Sequence, residues 1–158
     1  MAISVGDSLP TATLHETSPG DAINPSEVFR SGKVLLFGVP GAFTPGCDQT
    51  HLPGYINDRE KYAAKGIDTI ACISVNDAFV MQAWGKHSGA ADKVRMLADP
   101  QGEFVTAMGL DVDAAVLGGT RSKRFAMVVE NGKVTHLQVE PDGFGLTCSL
   151  SENILAEL

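Results

Sequence analysis

The stretch "VLLFGVPGAFTPGCDQTHLPG", Val34 to Gly54, decides how this chain is read. It opens on an unbroken apolar run, Val34 to Val39, of strand length. A run without polar alternation belongs to a strand covered on both faces. Two Pro-Gly pairs follow, Pro40-Gly41 and Pro45-Gly46, and then a thiol, Cys47. Proline is favoured in the first turn of a helix, where its missing N–H costs nothing. Pro45 therefore predicts a strand handing over to a helix, from about Gly46 to Lys65, with Cys47 in the first turn.

The same pattern recurs outward from this point. "GIDTIACISVND" predicts a second buried strand, Ile67 to Val75, and "VRMLADP" a third. "RFAMVVENGKVTHLQVE" predicts a hairpin, because Asn131-Gly132 between two apolar runs calls for a tight turn with positive φ. Asp77 is placed to cap a helix over "AFVMQAWGKH", "QGEFVTAMG" predicts a short third helix, and Ser151 with Glu152 opens a short last one. Strands alternating with helices and ending in a hairpin make an α/β layout, a central sheet with helices on its faces. Residues 1–158 read as one domain, since the Pro19-Gly20 and Gly118-Gly119 clusters look like internal loops rather than linkers.

Composition excludes several functions. The formal net charge of −7 argues against a nucleic-acid binder and against docking on an anionic membrane. The apolar segments are too short to span a bilayer, and "MAISVGDSLP" lacks the pattern of a secretory signal. Three cysteines, Cys47, Cys72 and Cys148, do not make a disulfide framework, which favours a reducing, intracellular home. No Cys/His pair stands at ligand spacing, so neither a metal nor a cofactor is expected.

A thiol in the first turn of a helix sits among free backbone N–H groups and at the positive end of the dipole. That environment favours the thiolate, the reactive form. A cysteine in regular structure is more often an inert core residue, but the helix-start position sets Cys47 apart. Thr44 is either a hydroxyl making a local turn or a hydrogen-bonding partner of the thiolate and its substrate. His51, alone on a first helical turn, is read as structural before catalytic.

"PGAFTPGCDQTHLPG" resembles the active-site signature of the peroxiredoxins, with Pro40, Thr44 and Cys47 at P-x-x-x-T-x-x-C. His51-Leu52-Pro53-Gly54 is similar to the type-five subfamily, also called type II. The likeness continues through "ACISVNDAFVMQAW", "VRMLADPQGEF", "RFAMVVENGKV" and "VEPDGFGLTCSL", nearly the whole chain. It implies a thioredoxin-like fold, a central mixed β-sheet flanked by helices. It also implies reduction of hydrogen peroxide and organic hydroperoxides, with peroxynitrite as a further candidate, by Cys47. The family's arginine falls on Arg124, just before the strand after the third helix, where its guanidinium would hold thiolate and peroxide oxygen together. Thr44, Gly46, Cys47 and Arg124 would bind the peroxide, and Pro40 would shield the sulfur from water and over-oxidation. Arg121 and Lys123 are left as solvated.

The sulfenic acid formed on Cys47 needs a second thiol to close a reducible disulfide. Cys72, in "TIACISV", alternates onto a buried face, whereas Cys148 lies in the glycine-bearing loop "GFGLTCSLSEN". In animal members of the subfamily the cysteine of "GLTCSL" is the resolving thiol, while plant and many bacterial members lack it. The resemblance is thus to the atypical two-cysteine form, with Cys148 resolving and thioredoxin as electron donor. A disulfide needs Cα atoms within about 7 Å, so the Cys47 turn is expected to unwind during the cycle. Two other readings stay open: direct recycling of Cys47 by glutathione or glutaredoxin, and a non-enzymatic redox sensor on the same scaffold. Monomer and non-covalent homodimer are both open, as are cytoplasm, mitochondrion and peroxisome.

Overall fold

A computed structural model describes residues 2–90 and 92–158; Met1 and Ala91 lie outside the described residues. The first elements are β1 (Leu14–His15), β2 (Ala22–Ile23) and the one-turn helix α1 (Pro25–Val28). The apolar run becomes β3 (Lys33–Val39). A helical turn, Cys47–His51, follows and leads into α2 (Leu52–Asn57) and α3 (Arg59–Ala64). Then come β4 (Thr69–Ser74), α4 (Ala78–Ser88), β5 (Arg95–Ala98) and α5 (Glu103–Ala107). The small strands β6 (Asp111–Ala114) and β7 (Gly119–Ser122) pair with each other. The hairpin β8 (Phe125–Glu130) and β9 (Lys133–Val139) and the helix α6 (Ser151–Leu155) complete the chain.

Seven strands form one mixed sheet in the order β2-β1-β5-β4-β3-β8-β9. The β3–β4 and β4–β5 pairs are parallel, whereas β8 runs antiparallel to both β3 and β9. Each central strand divides its side chains between two cores. Leu35, Phe37 and Val39 of β3 join Cys47, Leu52, Tyr55 and Trp84 on one face. Val34 and Leu36 join Phe104, Val105 and Leu110 on the other. Burial on both faces is why β3, β4 and β8 read as continuous apolar runs. Gly38 is required by close approach, since a Cβ there would run into the ring of its register partner Phe125.

Several local signals act where they were read. The Asp77 carboxylate accepts from Val80 N–H at 2.9 Å and caps α4. Asn131 and Gly132 both take positive φ, 51° and 82°, at the tip of the hairpin. The expected helix from Gly46 to Lys65 is instead broken into the Cys47–His51 turn, α2 and α3. Pro53 accounts for the first irregularity. It has no N–H to donate to the carbonyl four residues back, and its ring crowds that carbonyl. The chain widens there to i→i+5 spacing, with Leu52 N–H donating to the Cys47 carbonyl. Strands β1, β2, β6 and β7 carry no pattern that predicts them, and the β6–β7 pair stands between α5 and Arg124.

Candidate active site

The site lies where β3 gives way to the Cys47 turn. Pro45 and Gly46 already have helical conformation, as the proline predicts. Asp48 N–H bonds back to the Thr44 carbonyl at 2.8 Å. The N–H groups of Gly46 and Cys47 precede that first helical bond, so they are the donors a helix start leaves over. Cys47 has no exposed surface and packs into the core beside Phe37, Leu52 and Tyr55. Pro40 and Gly41 are buried as well.

The Thr44 hydroxyl donates to the Gly41 carbonyl at 2.7 Å. The local-turn reading is therefore correct for its proton, and its lone pairs stay available to accept. Phe43, with φ of 66°, holds the preceding bend, its ring 6.3 Å from that of Trp84. The Trp84 indole N–H donates to Asp48 Oδ1 at 2.8 Å and ties α4 to the Cys47 turn.

Arg124 reaches the same turn from the start of β8. It is only 4% exposed. Its Nε donates to the Phe144 carbonyl at 3.2 Å, and its Nη1 lies 3.1 Å from His51 Nδ1. Nη2 faces Gly46, standing 3.1 Å from where a Cβ on that residue would be. Glycine at position 46 thus lets the guanidinium press against the backbone beside Cys47. The salt bridges among the described residues are Lys61–Asp58 and Arg95–Glu16, so no carboxylate neutralises Arg124 there. A buried cation with no carboxylate partner is costly unless another negative group shares the site.

His51 closes the turn that Cys47 begins, and it is fully buried. Its Nε2 is 3.0 Å from the Ser149 carbonyl. A guanidinium only donates and a carbonyl only accepts, so the ring is neutral with its proton on Nε2. Burial first, and then the Arg124 charge, push its pKa down to about 3. The bond to the Ser149 carbonyl and then the Glu140 carboxylate pull the other way and lose. The folded pKa is depressed, so the unfolded chain takes up the extra proton, and stability falls as pH drops below about 6.5. We expect a loss of about 1 kcal/mol between pH 7 and pH 5.5, above ordinary carboxyl titration, the slope approaching about 1.4 kcal/mol per pH unit below that. Denaturant melts at pH 7 and pH 5.5 measure it, and His51→Phe should flatten the slope.

Cys148 is half-buried in the segment between β9 and α6, and its thiol faces the Val139 carbonyl at 3.5 Å. Glu140, a residue that sequence reasoning did not single out, organises this segment. Its carboxylate accepts five hydrogen bonds: the N–H and hydroxyl of Thr147, Cys148 N–H, and the N–H and hydroxyl of Ser149. Burial opposes its ionisation, but the bonds from Ser149, Thr147 and Cys148 outweigh it and hold the carboxyl far below the usual range. Burial and then the Glu140 charge push the Cys148 thiol up. The Tyr55 hydroxyl donates to the Ser149 carbonyl at 2.7 Å and Tyr62 to the Ser151 carbonyl at 2.9 Å, fastening the segment to α2 and α3.

Cys72 lies fully buried in the same core as Cys47, and burial followed by the neighbouring Cys47 pushes its thiol well up. All three cysteines are free thiols. Arg121 corrects its expected solvation. It is half-buried, donating from Nη2 to the Leu117 carbonyl at 2.6 Å and from Nη1 to the Pro40 carbonyl at 3.2 Å. The first of these bonds bridges the β6–β7 connection and the second reaches the loop after β3, a pairing that no sequence pattern announces. Lys123 is half-buried too. Among the described residues no cluster of His, Cys, Asp and Glu could hold a metal ion, and no helix is long and apolar enough to cross a membrane.

The chain is similar to known proteins over nearly its whole length. The pattern of the Redoxin family matches residues 4–153. A protein of Arabidopsis thaliana named "Peroxiredoxin-2E, chloroplastic" is 44% identical over 164 residues, covering 99% of this chain and 70% of its own. The crystal structure of reduced Prx3 in complex with H2O2 from Vibrio vulnificus superposes with a TM-score of 0.92 at 48% identity, over 99% of each chain. Peroxiredoxin 5 from Alvinella pompejana does so with a TM-score of 0.83 at 44% identity, over 92% of this chain and 95% of its own.

Proposed function

The chain belongs to the redoxin family and is a peroxiredoxin, a thiol peroxidase of thioredoxin-like fold, and from that premise we propose that Cys47 is the thiol that attacks peroxide. The observation that carries this reading is the buried Arg124 guanidinium, without a carboxylate partner, set against Gly46 at the start of a helical turn that opens on a buried thiol. A Cys47 thiolate supplies the missing negative charge. Its sulfur attacks one peroxide oxygen, the O–O bond breaks, and the other oxygen leaves carrying the developing charge. Arg124 Nη2 and the N–H groups of Gly46 and Cys47 stabilise that charge. Thr44, whose own proton is committed to Gly41, accepts from the peroxide O–H and orients it. Pro40 helps to keep water from the sulfur, and Arg121 holds the Pro40 carbonyl in place.

Cys148 then attacks the Cys47 sulfenic acid, giving an intramolecular disulfide that thioredoxin reduces. Its half-exposed position supports this assignment over Cys72, whose burial keeps it protonated. We read residues 1–158 as one domain, because both cores pack on the same seven-stranded sheet. An intracellular location fits the need for a thiol reductant. Peroxide consumption coupled to thioredoxin tests the cycle, and mass analysis after one equivalent of peroxide should find the Cys47–Cys148 bond. A glutathione adduct on Cys47 in its place would favour the one-cysteine cycle, and an absence of turnover would favour the sensor.

Arg124→Ala should slow the first step without abolishing it. Losing one charged donor at an oxyanion costs roughly 2–4 kcal/mol of transition-state stabilisation. Stopped-flow reduction of hydrogen peroxide reads the effect, and an unchanged rate constant would remove Arg124 from the mechanism.

A further inference from the structure

Resting on the peroxidase reading, we propose that His51 is a positioning residue that locks the Cys47 turn in its peroxide-reducing form by joining Arg124 to the Ser149 carbonyl beside Cys148. The turn has little else to hold its end. Its spacing is i→i+5, and Pro53 offers no backbone donor to the turn before it. His51, its last residue, carries two hydrogen bonds to distant parts of the chain: Arg124 Nη1 at 3.1 Å and the Ser149 carbonyl at 3.0 Å. Its ring also packs against Phe37 and Tyr55, with centroids 4.9 Å and 5.5 Å away.

Both bonds depend on the turn being wound. Unwinding carries His51 away from Arg124 and from Ser149 together. The first loss leaves the guanidinium held only by its Nε bond to the Phe144 carbonyl, and the second leaves the Ser149 carbonyl, one residue beyond Cys148, with the Tyr55 hydroxyl as its remaining side-chain donor. The wound turn with oriented Arg124 is one state, and the unwound turn, with one tie fewer on the Cys148 segment, is the other. The chemistry divides in the same way. In the wound state the Cys47 thiolate and peroxide give Cys47–SOH and hydroxide or alkoxide. In the unwound state Cys47–SOH and Cys148–SH give the disulfide and water, the sulfenic oxygen leaving with the thiol proton. The two electrons taken from the two sulfurs are the two that reduce the peroxide. His51 therefore favours the first step and opposes the second.

The test is His51→Phe in the full chain, which keeps a flat ring between Phe37 and Tyr55 but makes neither hydrogen bond. Two rates are read separately: Cys47 oxidation by hydrogen peroxide in stopped flow, and disulfide formation after one equivalent of peroxide by mass analysis. Oxidation should slow about tenfold, the worth of one hydrogen bond to a charged group, while disulfide formation becomes faster. His51→Gln, which presents an amide N–H to Ser149, should restore part of the slower resolution. Equal slowing of both steps, or no change in either, overturns the proposal. If the Phe variant does not fold, His51→Gln is read by the same two rates against wild type, and a change of the same sign in both overturns it equally. Wild-type sulfenate formation at Cys47 is scored first. Its absence defeats the peroxidase reading, whereas its presence with unaltered variant rates defeats only the role given to His51.

Discussion

Cys47→Ser is expected to abolish peroxide turnover completely. The oxygen of serine fits the same fully buried position, so the fold and the Arg124 pocket should survive. What is lost is the chemistry. A serine hydroxyl does not ionise near neutral pH, and its oxygen forms no reducible sulfenate. Arg124 then faces a neutral group and its charge stays uncompensated, which should appear as a modest loss of stability. Steady-state peroxide consumption with thioredoxin, alongside a melt to show that the variant is folded, provides the check. Turnover near wild type in a folded Cys47→Ser protein would rule out Cys47 as the attacking thiol.

Cys148→Ser is expected to stop thioredoxin-linked recycling while the first step proceeds. Cys148 sits in the segment held by Glu140, and it makes none of the hydrogen bonds that fix Arg124 or His51. Its loss leaves the Cys47 sulfenate without its resolving thiol, so successive peroxide additions should drive it to sulfinic acid. Single-turnover oxidation should therefore match wild type, steady-state turnover should vanish, and the sulfinic product should accumulate in the mass spectrum. Cys72→Ser serves as the contrast. It should cost about 1–3 kcal/mol of stability for a buried hydroxyl without a partner, and its turnover with thioredoxin should persist. The reverse pattern, with recycling lost in Cys72→Ser and kept in Cys148→Ser, would transfer the resolving role to Cys72.

The parts of the fold that were legible are those whose cause is local. Strands β3, β4 and β8 announce themselves because both of their faces are covered, which forces continuous apolar runs. Asn131-Gly132 and Asp77 act through geometry within a few residues of themselves. The short strands were invisible for the opposite reason. β6 is "DVDA" and β7 is "GTRS", short polar pieces of mixed burial with no apolar periodicity, which pair with each other. In the sequence Arg121 reads as solvated and Glu140 is not singled out, because a bond from a guanidinium to the Pro40 carbonyl leaves no mark in the residues beside it.

The sequence by itself determined that a thiol stands at the start of a helix, behind a buried strand and among glycines and prolines, since those preferences belong to neighbouring residues. Resemblance added the names of Arg124 and Cys148. Tertiary structure alone decided the protonation and role of His51. Its two hydrogen-bond partners lie 73 and 98 positions away, and both its burial and the Arg124 charge that keeps it neutral are supplied by folding. A local pattern can prepare a reactive cysteine, but a buried cation, a neutral imidazole and a carbonyl meet only when distant segments pack together, because that packing removes the water that would otherwise satisfy each of them.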